Sequence, residues 1–487
     1  MYSNMLKAKK KFYITTSIAY TNAPPHLGFS LELVQADVLA RYHRELSQDV
    51  FFLTGADEHG AKIARAAAKS GKTPKEFTDE ISAKYKELSG ALNASNDDFI
   101  RTTDQNRHWP IVNKVWLKLK DNNDIYKKQY KGLYCSGCEA FITKKDLRDG
   151  KCLIHRQEPL AIEEENYFFR LSKYEKEIKK VIEEDRVKIT PEVRKNEMLS
   201  FIRQGLEDIS FSRPRKDLQW GIPVPDDDTQ TIYVWADALT NYISAIGYDK
   251  DQKYKKYWPA DIQCLGKDIL KFHAIFWLGM LLSLKLPLPK NIFVHGFITV
   301  GGQKMSKSLG NTIDPFLLVK KYGADALRYF LLRELPPTED GDFTFDKFEK
   351  RYNADLAKGL GNLVARVAAL SLKLKINNTK NKITDKNFEK LIAKTRKECR
   401  ENLDKFRFNE SLRVIWNLIG FCDKYIEKER PWEAGKHQKE VIGNLLFAIG
   451  QIAELLKPFL PETSEKISDQ FKTEQGRQLF PRLTKNK

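Results

Sequence analysis

The sequence is short of everything that would mark a secreted or membrane-embedded chain. Its N-terminus, MYSNMLKAKKKF, lacks the apolar core of a signal peptide and reads as a short basic lead-in. The longest apolar run, Ile275–Leu284, is far too short to span a bilayer. Cysteine is scarce, six in 487 residues, and without a secretion signal metal binding or burial is expected over disulfides. Neither G-x-x-x-x-G-K-S/T nor G-x-G-x-x-G occurs, so P-loop and dinucleotide readings lack support. Acidic charge is in deficit, 65 Asp and Glu against 83 Lys and Arg, a net +18. That excess points to an anionic partner and strengthens the case for nucleic acid, without by itself deciding between nucleic acid and a membrane surface. What is present is ordinary core material, 41% hydrophobic and 30% charged. The length suggests about three or four structural units.

The chain is organised around KFYITTSIAYTNAPPHLG, residues 11–28. Phe12–Thr16 reads as a strand, the cluster around Pro24 and Pro25 as a breaker, and Leu27, Leu31, Val34, Val38 and Tyr42 as one helical stripe. His26 and Gly28 then fall in the first helical turn, at the carboxyl end of a strand, where open α/β sheets bind ligands and a helix N-terminus favours anions. His-x-Gly alone signals only a strand-to-helix turn. Val50–Leu53 reads as a second strand running into TGADEHG. Asp57, Glu58 and His59 are there either a solvated loop or a polar substrate contact. Residues 301–310, GGQKMSKSLG, follow a predicted strand, Ile292–Val300. The two glycines suggest a mobile loop, Lys304 and Lys307 put two cations on it, and Ser306 and Ser308 add donors.

The alternation of strands and helices breaks near residue 119. Cys135 and Cys138 form C-x2-C, and Cys152 and His155 form C-x2-H after thirteen further residues. Two such knuckles close a tetrahedral zinc site with no open position, a structural site. Pro214, Pro223 and Pro225 punctuate the return, and Asp226, Asp227 and Asp228 read as a solvated loop. Ile232–Trp235 is then read as a strand, followed by a helix with Ala238 and Tyr242 on one face. QCLGKDILKFHAIFWLGML gives another strand and helix, on which Ile269 and His273 share a face. A helical linker, Pro315–Leu332, and an acidic turn, TEDGD, lead to a Lys/Arg-rich helical bundle from about residue 350. In it, helix Leu356–Leu370 carries Asn362 and Arg366 four apart, and another helix is expected to begin with Pro431 at N1, beside Trp432.

KMSKS, together with a strand–APPHLG–helix near the N-terminus, resembles the paired signature of class I aminoacyl-tRNA synthetases. FFLTGADEHG, the two knuckles, YVWADAL, GKDILKFH, GNLVARV and RPW extend that resemblance to methionyl-tRNA synthetases of the short bacterial type, over about residues 11–460. The fold implied is α/β: a Rossmann-type catalytic domain (1–118 and 231–305) with an inserted zinc-bearing connective domain (119–230). A KMSKS loop and stem-contact segment (306–349) and an all-α anticodon-binding bundle (350–487) follow. The resemblance implies activation of L-methionine with ATP and transfer to tRNA(Met), with Mg2+ riding on ATP and one structural Zn2+. By it, Ile18, Tyr20, Asp57, Trp235, Ala238, Leu239, Tyr242, Ile269 and His273 occupy methionine positions. His26, Gly28, Phe29, Glu32, Gly266, Asp268, Lys304, Ser306 and Lys307 occupy ATP positions, with His26, Lys304 and Lys307 catalytic. Asn362, Arg366 and Trp432 occupy anticodon positions. One residue departs from the family pattern: Phe29 stands where a second histidine is usual. No membrane partner is expected, and a cytoplasmic monomer is, since the sequence stops at Lys487 without an appended dimerisation domain. Two other classes fit these features, a zinc-bearing tRNA-binding protein without activity and a class I synthetase for leucine, isoleucine or cysteine. The small insert argues against a large editing domain, and the closed knuckle argues against cysteine.

Overall fold

The computed structural model describes residues 9–137, 140–142, 146–154, 156–305, 310–376, 383–433, 437–473 and 478–483. The chain divides into two compact units. The first takes the segments up to Pro25, His43–Ser89 and Ser95–His295. The second takes His26–Tyr42, Gly90–Ala94 and the chain from Gly296 onward.

The first unit is built on a seven-stranded parallel sheet. Lys188–Thr190, Asn291–His295, Ile262–Gly266, Lys11–Thr16 and Asp49–Asp57 lie side by side in that order. Ala19–Tyr20 and Asp98–Arg101 both pair with Asp49–Asp57. Asp49–Asp57 and Ile262–Gly266 are buried almost end to end, which is why they read as apolar runs without alternation. Strand order reverses at Lys11–Thr16. Asp49–Asp57, reached through the helix Leu27–Glu45, lies to one side, and Ile262–Gly266, from far along the chain, lies to the other. A doubly wound sheet offers its ligand crevice at such a point, beyond the carboxyl ends.

Within the expected insert, Lys188–Thr190 joins the parallel sheet, and the segment before it is antiparallel. Ile125–Cys135 pairs with Leu160–Phe169 from Ile125↔Phe169 to Tyr134↔Leu160, buried at the Ile125/Phe169 end and largely exposed along its middle. Helices Glu175–Glu183 and Glu192–Ile202 follow. The expected strand Ile232–Trp235 is corrected here. The strand is Asp227–Ile232, in a separate antiparallel sheet with Ser212–Pro214 and Pro223–Val224, and Trp235 lies on the helix Val234–Leu239. Four apolar residues in a row fit a buried helix start as well as a strand. Asp227 is likewise not a solvated loop residue. It accepts from Tyr167 (3.0 Å) and Lys127 (3.0 Å). Burial alone would raise its pKa, but its Thr229, Lys127 and Tyr167 hydrogen bonds lower it to about 2.

The second unit is mostly helical. Its first helix, Leu27–Glu45, buries Leu27, Leu31, Val34 and Val38 as the stripe required. The expected strand Ile292–Val300 is broken. Asn291–His295 belongs to the parallel sheet, whereas Ile298–Val300 pairs with Gly341–Phe343 and Gln303–Lys304 in a small sheet of the second unit. The break has a steric cause at Gly296, where a Cβ would stand 2.1 Å from both the carbonyl carbon and the oxygen of Glu339. Phe297 N–H then donates to Asp340 (2.9 Å), pinning the change of direction. The expected linker helix Pro315–Leu332 is two helices, Pro315–Tyr322 and Ala324–Arg333, divided at Gly323 with φ 89°. The bundle comprises Phe345–Arg351 continuing through a π-helical stretch into Asn362–Lys373, then Lys386–Leu403, Phe408–Glu429, Gln438–Leu456 and Pro461–Thr473. Pro431 opens no helix. It follows the C-terminus of Phe408–Glu429, where Arg430 turns left-handed at φ 40°, and the next helix starts at Gln438. Proline just past a helix end is a stop signal.

Gly296→Ala should lower stability by about 1–3 kcal/mol through overpacking against backbone. A thermal melt of the variant checks this, and an unchanged midpoint contradicts the close approach.

Candidate active site

The first unit gathers aromatic groups beyond the carboxyl ends of its sheet. Ile18 and Tyr20 follow strand Lys11–Thr16, and Tyr20 pairs in register with Asp57 at the end of Asp49–Asp57. Gly266 ends Ile262–Gly266, and Asp268 and Ile269 lie in the 3-10 turn after it. A Cβ on Gly266 would stand 2.9 Å from Asp268 Oδ1 and 3.6 Å from the His295 ring, so the backbone there is approached from two sides. Trp235 stacks on Phe272 with centroids 3.8 Å apart and 5° between planes, and meets His273 edge-on at 6.4 Å. The Tyr242 hydroxyl bonds His273 Nε2 at 2.6 Å, and His273 Nδ1 lies 3.0 Å from the Ile269 carbonyl. A carbonyl can only accept, so Nδ1 carries the proton and Nε2 accepts from Tyr242. The sequence separates Ile269 and His273 by four residues, and this bond is the contact that spacing provides. Burial drives the His273 pKa down to about 4, so the ring is neutral at physiological pH. Ala238, Leu239 and Tyr242 are buried on the neighbouring helices. The result is an aromatic, uncharged wall with one carboxylate, Asp57, at the strand end.

Glu58 and His59, read from sequence as either solvated loop or substrate contact, are engaged inside the protein. Glu58 is fully buried and takes Arg101 Nε at 2.6 Å, with the Ser82 and Thr103 hydroxyls on its oxygens. His59 Nδ1 bonds Asp237 Oδ2 at 2.6 Å, and His108 Nε2 bonds Asp237 Oδ1 at 2.7 Å. Burial alone would raise the Asp237 pKa. The charge of His59 and hydrogen bonds from both rings hold it below the usual carboxylate range. Sequence reasoning missed Asp237, His108 and Phe272. His108 is one of only eight histidines, a weak signal, and Phe272 precedes a flagged histidine.

In the second unit, Gly28 N–H donates to His26 Nδ1 at 3.0 Å, which folds the exposed imidazole over the first helical turn. A Cβ on residue 28 would stand 2.8 Å from His26 Cε1, so the glycine of His-x-Gly is a requirement of that ring position. Phe29 and Glu32 are buried on the same helix. Gly301 (φ 59°) and Gly302 (φ 76°) form a tight hairpin turn between Ile298–Val300 and Gln303–Lys304, at the start of the expected loop. Asp342 Oδ1 pins it by accepting from Gly302 N–H (2.7 Å) and the Thr299 hydroxyl (2.9 Å). Lys304 ends the hairpin strand. Ser306, Lys307 and Ser308 lie outside the described residues. Farther along, the Arg366 guanidinium stands 5.2 Å from the Trp432 ring centroid and pairs with Glu427 at 2.6 Å. Asn362, exposed, sits one turn before Arg366.

Of the four expected metal ligands, Cys138 and His155 lie outside the described residues. Cys135 and Cys152 are both buried and share one small cluster with Ile142, Leu133 and Leu147. Among the described residues no three potential ligands come together.

The family described as tRNA synthetases class I (M) matches residues 12–147 and 138–368. The anticodon-binding domain of tRNA ligase matches residues 385–485. The Methionine--tRNA ligase of Thermotoga maritima is 43% identical over 471 residues, covering 94% of this chain and 74% of that protein. That of Brucella suis is 40% identical over 479 residues, covering 95% and 92%. The structure of Mycobacterium tuberculosis methionyl-tRNA synthetase in complex with methionyl-adenylate matches with TM-score 0.89 and 37% identity. It covers 94% of this chain and 93% of that one.

A neutral, buried His273 has a stability signature. Its pKa is lower folded, about 4, than its ordinary value of 6.5. The unfolded chain therefore binds the extra proton between those values, and stability falls as pH drops through this window, by about 3 kcal/mol in all. Unfolding at pH 7 and pH 4.5 should show the loss, and His273→Gln should lack that part of it.

Proposed function

The chain belongs to the class I methionine--tRNA ligases, and from that membership we propose which of its residues carry each part of the reaction. It activates L-methionine with ATP to methionyl-adenylate and pyrophosphate, then transfers the methionyl group to methionine tRNA. The observation that carries this reading is identity of 43% to a methionine--tRNA ligase across 94% of the chain.

Methionine's own carboxylate is the nucleophile. One of its oxygens attacks the α-phosphorus of ATP, and pyrophosphate leaves with the bonding electrons. The protein's tasks are alignment and charge neutralisation. Asp57 meets the methionine ammonium group. Ile18, Tyr20, Trp235, Ala238, Leu239, Tyr242, Ile269 and His273 take the side chain, where each thioether–aromatic contact adds about 0.3–1.5 kcal/mol. A neutral His273 suits an apolar side chain, since it presents no charge that would have to be desolvated. ATP, entering with Mg2+, is taken by Gly28, Glu32, Gly266, Asp268 and Ser306, with His26, Lys304 and Lys307 supplying donors and cations as charge develops. Phe29, at a position where the family usually has histidine, offers packing and no donor. Removing one aimed donor costs about 10²–10³ in rate, so His26 and the two lysines bear more of the task. In the second step a hydroxyl of the tRNA's terminal adenosine attacks the methionyl carbonyl carbon, and AMP leaves.

Zn2+ is proposed at Cys135, Cys138, Cys152 and His155. The two described thiols suit it, buried in one small cluster where a bound ion would cross-link the two turns. No step of the reaction runs through it. Among the described residues no helix is long and apolar enough to cross a membrane, and we propose a cytoplasmic monomer. Elemental analysis should find one zinc per chain, lost on replacing Cys135 and Cys138 by serine. A metal-free protein prepared without chelator contradicts the site.

We assign anticodon reading to Asn362, Arg366 and Trp432, with the indole as the platform on which a splayed base stacks. Pyrophosphate exchange across an amino-acid panel tests the activity, with methionine expected to lead, and a lead by leucine, isoleucine or cysteine overturns it. Trp432→Ala should lower tRNA charging about 5- to 150-fold, the worth of one base–aromatic stack, and leave exchange at the wild-type rate. Loss of both activities would make Trp432 a folding residue instead.

A further inference from the structure

The helix that carries His26 is held far from its active end by one buried guanidinium. Arg328, on Ala324–Arg333, has no solvent exposure. Its Nε donates to the Phe459 carbonyl (2.7 Å), Nη1 to the Leu92 carbonyl (3.1 Å) and Nη2 to the Pro458 carbonyl (3.0 Å). Nη2 also pairs with Asp37 Oδ2 at 2.7 Å, on the His26 helix. Asp37 is fully buried, and the same oxygen accepts from Arg41 Nε (2.8 Å), whose Nη2 holds the Asn93 carbonyl (2.6 Å). Pro458 and Phe459 lie between the bundle helices Gln438–Leu456 and Pro461–Thr473. Two further bonds point the same way. Gln35 Nε2 donates to the Pro337 carbonyl (3.1 Å), and the Tyr42 hydroxyl to Asp404 Oδ1 (3.0 Å) at the end of Lys386–Leu403.

This helix has ample apolar burial along Leu27, Leu31, Leu33, Val34, Val38 and Leu39 to hold it in place. A buried ion pair is weak evidence for stability, because desolvation offsets the attraction; its best-attested use is to select one register. Apolar contacts tolerate sliding, whereas four directed bonds from one planar fork do not. Eleven residues separate Asp37 from His26, about 16 Å of stiff helix, so a shift at Asp37 is carried to the imidazole.

We infer that Asp37 and Arg328 are positioning residues for adenylate formation: their pair sets the register of the His26 helix against the tRNA-reading bundle. The inference rests on the proposed role of His26. Asp325 supplies the control. It is buried on the same helix as Arg328 and accepts from Thr463 N–H (2.6 Å) at the same corner of the bundle, with no bond to the His26 helix among the described residues.

The test is steady-state pyrophosphate exchange by the full chain. Asp37→Asn and Arg328→Lys should each lower kcat about a hundredfold, the scale of a misplacement near 1 Å. Methionine KM should stay within about twofold, because uniform binding is untouched. The double variant should lose little more than either single, the mark of one shared interaction. Asp325→Asn should lower Tm and keep the wild-type kcat. If the charge variants fail to fold, Tyr42→Phe, which strands no charge, should still lower kcat with methionine KM unchanged. Wild-type kcat in Asp37→Asn or Tyr42→Phe overturns the inference. So does a kcat loss in Asp325→Asn equal to that in Asp37→Asn. A wild-type chain that exchanges no methionine overturns the proposed function instead, so the two failures are distinct.

Discussion

A carboxylate with no route to water fixes the ligand edge of the first unit. Asp237 carries one imidazole on each oxygen, His59 at 2.6 Å and His108 at 2.7 Å. Displacing any of the three strands a buried charge, and removing one partner of such a pair typically costs about 3–5 kcal/mol. His59 follows strand Asp49–Asp57, and His108 precedes helix Trp109–Asp121 and bonds Ser244 on its other nitrogen at 2.7 Å. The short helix Val234–Leu239 is thus tied to a strand end, a helix start and its own successor. Trp235, Ala238 and Leu239 inherit that fixed position because six residues of helix have no slack. Glu58, beside His59, repeats the device with Arg101 and two hydroxyls.

Charge is divided by task. Tyr242 and His273 spend their polar atoms on each other and on the Ile269 carbonyl, so the aromatic wall is polar in composition yet neutral in effect. A thioether can lie against such a wall with no charge to desolvate. The chain's net charge of +18 is therefore not drawn from this wall. Arg366 is a partly paired example, shared between Glu427 and the Trp432 face. If the proposed base stacking occurs there, an arginine already held over the indole would meet the base at little extra ordering cost.

Much of this was legible because the motifs sit where strand ends, and few other structures, put them. His26 and Gly28 in a first turn, Asp57 at a strand end, and Ile269 with His273 on one face all follow from periodicity and punctuation. The failures share a cause: local pattern cannot report which partner a segment finds. Ile292–Val300 is one apolar run, but the backbone of Glu339 at Gly296 cuts it into strands of two sheets. Ile232–Trp235 is as apolar as any strand, but Trp235 stacks on Phe272 from a helix. Pro431 suits N1 and equally suits a stop, and the left-handed Arg430 before it decides. Asp237 was invisible because its partners lie 178 and 129 residues away.

The same non-locality shapes how the helix that follows His26 is secured. The chain passes from strand Lys11–Thr16 into Leu27–Glu45 and on to Asp49–Asp57, so sequence places that helix among the strands. Its compact unit is nevertheless the one that continues from Gly296. The Tyr42–Asp404 bond spans 362 residues, and the Leu92–Arg328 bond spans 236. Contacts of that separation form only after the loop entropy between them has been spent. The parallel sheet is no more local, since Tyr13 N–H donates to Asp261 across 248 residues, whereas within the aromatic wall Tyr242 and His273 lie 31 residues apart. A chain that has not yet packed the 458–459 corner leaves Asp37 without the guanidinium that registers its helix.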